Sequence, residues 1–247
     1  MALTQRMIET GAGSLAAYGE VGGSCLLLHG AGEDASIFAE QLEAVPGTWA
    51  IDLPGHGRSP GQGFRDVPSY AGLVLDVARR LRPEGLCLGG HSMGGAIVLE
   101  AALAQPQMVK GLVLIATGGR LRVHPDLLAA LAAGKEMPQA FVDLMFAPDA
   151  SPEARGRLPE ADRHVQYGDF LACDAFDVLG RLGEIRQRAL VLVGDRDRMT
   201  PAKYARTLAE ALSAELEVIP GAGHMLTLEA PQELSRSLGR FMTGGVR

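Results

Sequence analysis

The chain has 247 residues, room for one large α/β domain with a small insertion, and its 47% apolar and 21% charged residues suit a globular enzyme. The net charge is −6 and Lys and Arg form no dense cluster (Arg79, Arg80 and Arg82 have the spacing of a solvated helix face), which argues against nucleic acid or an anionic membrane as partner. Cys25, Cys87 and Cys173 lack metal-like or C-x-x-C spacing, and with no leader pattern and no long apolar span the expectation is a cytoplasmic protein with no disulfide, membrane partner, metal or other cofactor.

Taken along the chain, residues 14–20 alternate loosely, as a half-exposed strand does. Residues 25–28 (C-L-L-L) are continuously apolar, the mark of a strand buried on both faces, and run into H-G-A-G. A helix over 38–45 and a strand over 48–53 follow, the latter opening into the turn P-G-H-G-R-S at 54–59. Residues 69–81 place Leu73, Val74, Val77, Ala78 and Leu81 at helical intervals. Residues 111–116, 189–193 and 216–219 read as further strands, with helices over 201–212 and 231–241. Apolar strands alternating with helices predict a mostly parallel twisted sheet covered on both faces.

Residues 117–188 break that rhythm. They hold short helical patterns at 127–133, 139–146 and 167–182, punctuated by prolines, and no convincing strand. The expected organisation is a core of residues 1–117 and 188–247 with a helical cap over 118–187, lying above the strand ends where open α/β sheets bind ligands.

Between the helix at 69–81 and the strand at 111–116, residues 86–95 read L-C-L-G-G-H-S-M-G-G, and a helix over 96–104 follows directly. This is G-x-S-x-G between strand and helix, the setting of a nucleophile elbow with Ser92 at its tip. The turn needs glycine at 90 and 94 because strand and helix cross too closely for a Cβ there. A helix starting at the serine also directs unpaired N–H groups toward a developing oxyanion.

A nucleophilic serine needs a base, and the base an orienting carboxylate. Of the histidines downstream, His124 and His164 fall in the cap, leaving His224 in the loop G-A-G-H after the last strand. Asp195 and Asp197 compete for the acid within G-D-R-D-R-M-T-P. Asp197 is favoured because it stands at the loop tip, whereas Asp195 is placed to brace the turn or pair with Arg196.

Five motifs in order, L-L-L-H-G at 26–30, D-L-P-G-H-G-R-S at 52–59, G-H-S-M-G-G at 90–95, the acid loop and the histidine loop, resemble the α/β-hydrolase superfamily in its compact esterase and lactonase branch. The resemblance implies Ser92 as nucleophile, Asp197 as acid and His224 as base. It implies an oxyanion hole made by the amides of Met93 and Ala31, with Gly32 the neighbouring alternative. His56, Arg58 and His91 are expected to be structural. Leu144, Met145, Phe146 and Phe170 are expected to line an apolar acyl pocket or to hold the cap on the core. The implied reaction is cleavage of a small-molecule carboxylic ester, of short to medium acyl chain, or a lactone. Carbon–carbon bond hydrolases and the menaquinone-pathway synthase keep the same triad; for the latter, Arg120, Arg122, Arg155 and Arg157 would meet an acidic substrate. A hydrolase-like ligand receptor is a third reading. The pattern assigns no oligomeric state.

Overall fold

In the computed structural model, residues 5–11 and 13–244 are described. Among the described residues eight strands form one sheet in the order β1-β2-β4-β3-β5-β6-β7-β8. They are β1 (Gln5–Thr10), β2 (Gly13–Gly19), β3 (Cys25–Leu28), β4 (Thr48–Ile51), β5 (Leu86–His91), β6 (Val109–Ile115), β7 (Ala189–Gly194) and β8 (Glu215–Ile219). β1 and β2 are antiparallel to their neighbours, and every pairing from β4 through β8 is parallel. The apolar runs at 25–28, 86–91 and 189–194 are wholly buried, as a sheet covered on both faces requires.

The helices are α1 (Ala39–Ala44), α2 (Val67–Leu81), α3 (Met93–Ala104), α4 (Pro125–Ala132), α5 (Gln139–Met145), α6 (Pro152–Gly156), α7 (Arg163–Ala175), α8 (Ala202–Leu212), α9 (Leu226–Glu229) and α10 (Pro231–Thr243). α2 begins two residues before the helix expected over 69–81, because the Asp66 carboxylate accepts the Ser69 N–H and caps the first turn. It buries Tyr70, Leu73, Val74, Val77 and Ala78 in the main core, where a fully buried aliphatic side chain contributes about 1.5–3 kcal/mol.

Two sequence expectations need correction. The helical pattern at 167–182 is divided: α7 ends at Ala175, and a 3-10 turn covers Leu179–Glu184. The break arises because Asp177 forms an antiparallel bridge with Arg120, and the Leu121 N–H bonds to the Phe176 carbonyl. The strand expected at 14–20 is β2; missing from the expectation is β1, which pairs with it residue for residue.

The segment between β6 and β7 therefore holds α4 to α7 and the 3-10 turn. Its ends supply Leu121, Ala172, Cys173, Phe176, Val178 and Leu182 to the main core. Cys25, Cys87 and Cys173 are free and buried. Among the described residues no helix is long and apolar enough to cross a membrane.

Candidate active site

The sheet's strand order reverses at β3 and β5, which are neighbours while the chain continues outward from β3 to β4 and from β5 to β6. A crevice opens at the carboxyl ends of such a pair. The two chain segments leaving there are His29 to Glu33 and the elbow at Ser92.

Ser92 has φ 51° and ψ −114°, a left-handed backbone conformation costly to a residue with a side chain. Its backbone is held from both sides. Ser92 N–H donates to the Ile115 carbonyl at 2.9 Å, and the Thr117 hydroxyl donates to the Ser92 carbonyl at 2.8 Å. The close crossing anticipated from the glycines is present. A Cβ on Gly94 would lie 2.1 Å from the Leu28 carbonyl oxygen, and one on Gly90 2.2 Å from the Gly94 backbone.

Asp197 and His224 meet where the loops after β7 and β8 converge. His224 Nδ1 lies 3.0 Å from Asp197 Oδ2, with both side chains buried. The Met199 and Thr200 amides donate to Asp197 Oδ1 at 2.8 Å, and the Thr200 hydroxyl donates to Oδ2 at 2.8 Å. Burial pushes the Asp197 carboxyl up, but the His224 charge and these hydrogen bonds outweigh it and hold it down to about 2. An ionised carboxylate on Nδ1 fixes a proton there and directs Nε2 to other chemistry. Asp195 instead braces the loop: its Oδ1 accepts the Gly221 N–H at 2.8 Å.

His91, one residue before the serine, joins the three loops. Its Nδ1 lies 2.9 Å from Glu33 Oε2 and its Nε2 2.9 Å from the His224 carbonyl. Two acceptors on two ring nitrogens require an imidazolium. Burial opposes that charge, but the Glu33 carboxylate raises the His91 pKa on balance; His91 in turn lowers Glu33 against its own burial. His56 is built alike, with Nδ1 toward the Pro54 carbonyl at 3.1 Å and Nε2 on Asp169 Oδ2 at 2.8 Å. Burial lowers its pKa, and Asp169 outweighs that and raises it. His29, tilted against it at 4.7 Å, is neutral: its Nε2 accepts the Leu53 N–H at 3.0 Å, and burial with the His56 charge lowers it to about 3.

Ala31 and Met93 stand at the two backbone positions anticipated for oxyanion donors. Among the described residues neither amide has a hydrogen-bond acceptor. Gly30 lies against the serine, since a Cβ there would come 3.1 Å from Ser92 Cβ.

The four pocket residues separate. Phe170 packs with Leu127 and Leu131 in a small apolar cluster that touches Ala31. Met145 and Phe146 are buried in the core cluster that contains Met225 and Leu226, and the Met145 carbonyl accepts the Met225 N–H at 3.0 Å. They brace the histidine loop. Leu144 is half-buried. Among the described residues no group of three or more His, Cys, Asp or Glu side chains is placed to hold a metal ion.

Sequence reasoning missed Glu33, Asp169 and Thr200. A buried carboxylate has to find a partner, but nothing in a single sequence says which distant residue supplies it.

Residues 25–237 match the Alpha/beta hydrolase family. A putative carbamate hydrolase from Rhizobium rhizogenes is 30% identical over 88% of this chain and 91% of its own length. The chain belongs to the alpha/beta hydrolase family, and its mostly parallel eight-stranded sheet is that fold. A dihydrolipoyllysine-residue acetyltransferase component of an acetoin cleaving system from Pseudomonas putida is 32% identical over 91% of the chain, which spans 64% of that relative's length. Among solved structures, a thermophilic esterase superposes with a TM-score of 0.83 at 32% identity, covering 98% of both chains.

Proposed function

We propose that the protein hydrolyses small carboxylic esters or lactones through an acyl-enzyme on Ser92. The observation that carries this reading is the buried Asp197–His224 pair at 3.0 Å, on loops joined through His91 to the elbow bearing Ser92. The likeness to a solved esterase supports it.

In this reading His224 Nε2 takes the Ser92 hydroxyl proton as Oγ attacks the ester carbonyl, and Asp197 stabilises the imidazolium that forms. The Ala31 and Met93 amides receive the oxyanion, and one such donor contributes roughly 3–4 kcal/mol in comparable enzymes. His224 then returns the proton to the departing alcohol, and water releases the acid by the same route. The helices inserted between β6 and β7 act as the lid, with the Phe170 cluster as the acyl wall beside Ala31.

The cap arginines weigh against an acidic substrate. Arg120 and Arg122 face Asp177, Arg155 faces Asp143, and Arg157 bonds Glu40 at 2.8 Å.

The test is hydrolysis of p-nitrophenyl acetate, butyrate and octanoate by the wild type and Ser92→Ala. Turnover that falls by at least about 10³-fold in the variant is expected. Equal turnover in both, or none in the wild type, overturns the proposal.

A further inference from the structure

The turn Gly30 to Glu33 is closed by the Glu33 N–H on the Gly30 carbonyl at 3.3 Å, with Gly32 at φ +66°. It carries three successive amides, those of Gly30, Ala31 and Gly32. The first and third are each held by a buried carboxylate. Gly30 N–H donates to Glu33 Oε2 at 2.6 Å, and Gly32 N–H donates to Asp169 Oδ2 at 2.9 Å. The amide between them, Ala31, has no acceptor among the described residues.

The two carboxylates have different origins. Glu33 belongs to the turn itself. Asp169 lies 137 residues away on α7, in the segment inserted between β6 and β7, and is wholly buried. It is held from below by core side chains: Tyr70 donates its hydroxyl to Oδ1 at 2.6 Å, and His56 Nε2 lies 2.8 Å from Oδ2. Gln166, one turn earlier on the same face of α7, covers Gly32 so closely that a Cβ there would come 2.6 Å from its Nε2. The middle peptide of a four-residue turn can rotate with little change elsewhere, because glycine at its third position permits both orientations. An acceptor on the Gly32 N–H removes that freedom.

We propose that Asp169 is a positioning residue for the oxyanion hole: by holding the Gly32 N–H it pins the Ala31–Gly32 peptide and keeps the Ala31 carbonyl from turning toward the oxyanion, so that the Ala31 N–H of the preceding peptide alone faces it, and it makes that arrangement depend on α7 being seated. This rests on the acyl-transfer reading above and deepens it. Asp169 touches no reacting atom. It acts through the turn, while the His56 charge balances its carboxylate close to where negative charge develops. A substrate or a change in the lid that lifts α7 would therefore weaken catalysis before it weakened binding.

The experiment compares Asp169→Ala, Asp169→Asn and Tyr70→Phe with the wild type on p-nitrophenyl butyrate, recording kcat, KM and Tm for each, with Ser92→Ala alongside. Tyr70→Phe removes the hydroxyl on the other carboxylate oxygen, and with it the acceptor of the Phe64 N–H at 3.0 Å, but leaves the Gly32 bond in place, so it reports the loss of anchoring and its local stability cost. Expected is a kcat lowered about 10- to 100-fold in Asp169→Ala with KM within about twofold, as for a misaligned group. Asp169→Asn, which keeps an oxygen for Gly32, recovers most of that loss. Tyr70→Phe loses Tm with kcat near wild type. If Asp169→Ala does not fold, Asp169→Ser, whose shorter side chain cannot reach the Gly32 N–H, takes its place: a kcat at least tenfold below that of Asp169→Asn with KM within about twofold supports the proposal, and a kcat equal to that of Asp169→Asn overturns it. Wild-type kcat in a folded Asp169→Ala, or kcat losses that track Tm across all three variants, overturns the positioning role while a dead Ser92→Ala leaves the acyl-enzyme reading standing. Activity retained in Ser92→Ala overturns both.

Discussion

Replacing Glu33 with alanine should be one of the most damaging single changes available outside the sheet. Its Oε2 accepts the Gly30 N–H and faces His91 Nδ1 at 2.6 and 2.9 Å, and both Glu33 and His91 are buried. Alanine leaves a buried imidazolium without its counter-charge, a loss of about 3–5 kcal/mol when one member of a buried pair is removed. At roughly 2–4 °C per kcal/mol for a chain of this size, Tm should fall by about 6–20 °C. Glu33→Gln keeps the shape and an acceptor for Gly30, and should lose about 1.5–3 kcal/mol, the range for a hydrogen bond to a charged group. The loss has a pH signature. His91 is raised on folding, so its contribution is complete below the ordinary histidine value of about 6.5 and disappears as pH climbs through the raised value. Glu33 is lowered, so its contribution is present above about 4.3 and is lost as pH falls through the lowered value. The gap between wild type and Glu33→Ala should be widest between about pH 4.5 and 6.5 and narrower at pH 9. Urea unfolding followed by the fluorescence of Trp49, the single and fully buried tryptophan, measures it at pH 6 and 9. A loss under about 1 kcal/mol at pH 6, or a gap that widens toward pH 9, would refute the reasoning.

The other predictions concern the elbow and the acid. Gly94→Ala places a Cβ 2.1 Å from the Leu28 carbonyl oxygen, a backbone atom that cannot swing away, so a loss above about 4 kcal/mol or failure to fold is expected; a Tm within a few degrees of wild type contradicts the close crossing. Asp197, held down to about 2, contributes stability above its unfolded value of about 3.9 and loses it as pH falls toward 2. Asp197→Asn should therefore be about 2–3 kcal/mol less stable at pH 7 and lose less of what remains between pH 5 and 3. Acid unfolding curves of equal steepness for the two proteins would count against the Asp197–His224 pair. Ser92→Ala and the Asp169 series complete the set, read by ester turnover.

Where physical pattern and local chemistry coincide, the sequence was readable. The strands at 25–28, 86–91 and 189–194 are buried on both faces, and a continuous apolar run has little other use. The elbow was legible because strand, serine and helix are contiguous, so the glycines and their reason lie within one short stretch. Asp197 was separable from Asp195 by place in the loop, and the two do divide the work, one on His224 and the other on Gly221. β1 was not legible, because an edge strand with one buried residue among six carries neither an apolar run nor a clean alternation. The break after Ala175 depends on a bridge to Arg120, 57 positions earlier, which outweighs a helical pattern that continues locally. Phe146 read equally as a pocket residue and as one that holds the cap on the core, because an aromatic residue at the end of an inserted helix looks the same whether it faces a ligand or the core beneath. Glu33 and Asp169 depended on partners 58 and 137 residues distant. Their sequence neighbours give no sign of them.

The segment between β6 and β7 has two parts that meet different neighbours. Because those strands are adjacent and parallel, the chain has to return along one face of the sheet to begin β7. Phe176, Val178, Leu182 and Ile185 make that return, buried in the main core. The outward part, α4, lies apart from that return, whereas Met145, Phe146 and Ala154 belong to the core cluster that holds the histidine loop. That outward part is the natural unit for exchange: transplanting residues 125–138 between relatives would trade the apolar cluster beside Ala31 while leaving the chain's path, the loops that carry Ser92, Asp197 and His224, and α7 intact. Leu127 and Leu131, which pack on Phe170, mark the contacts a donor segment has to reproduce. Substrate range and folding can thus drift independently in this architecture.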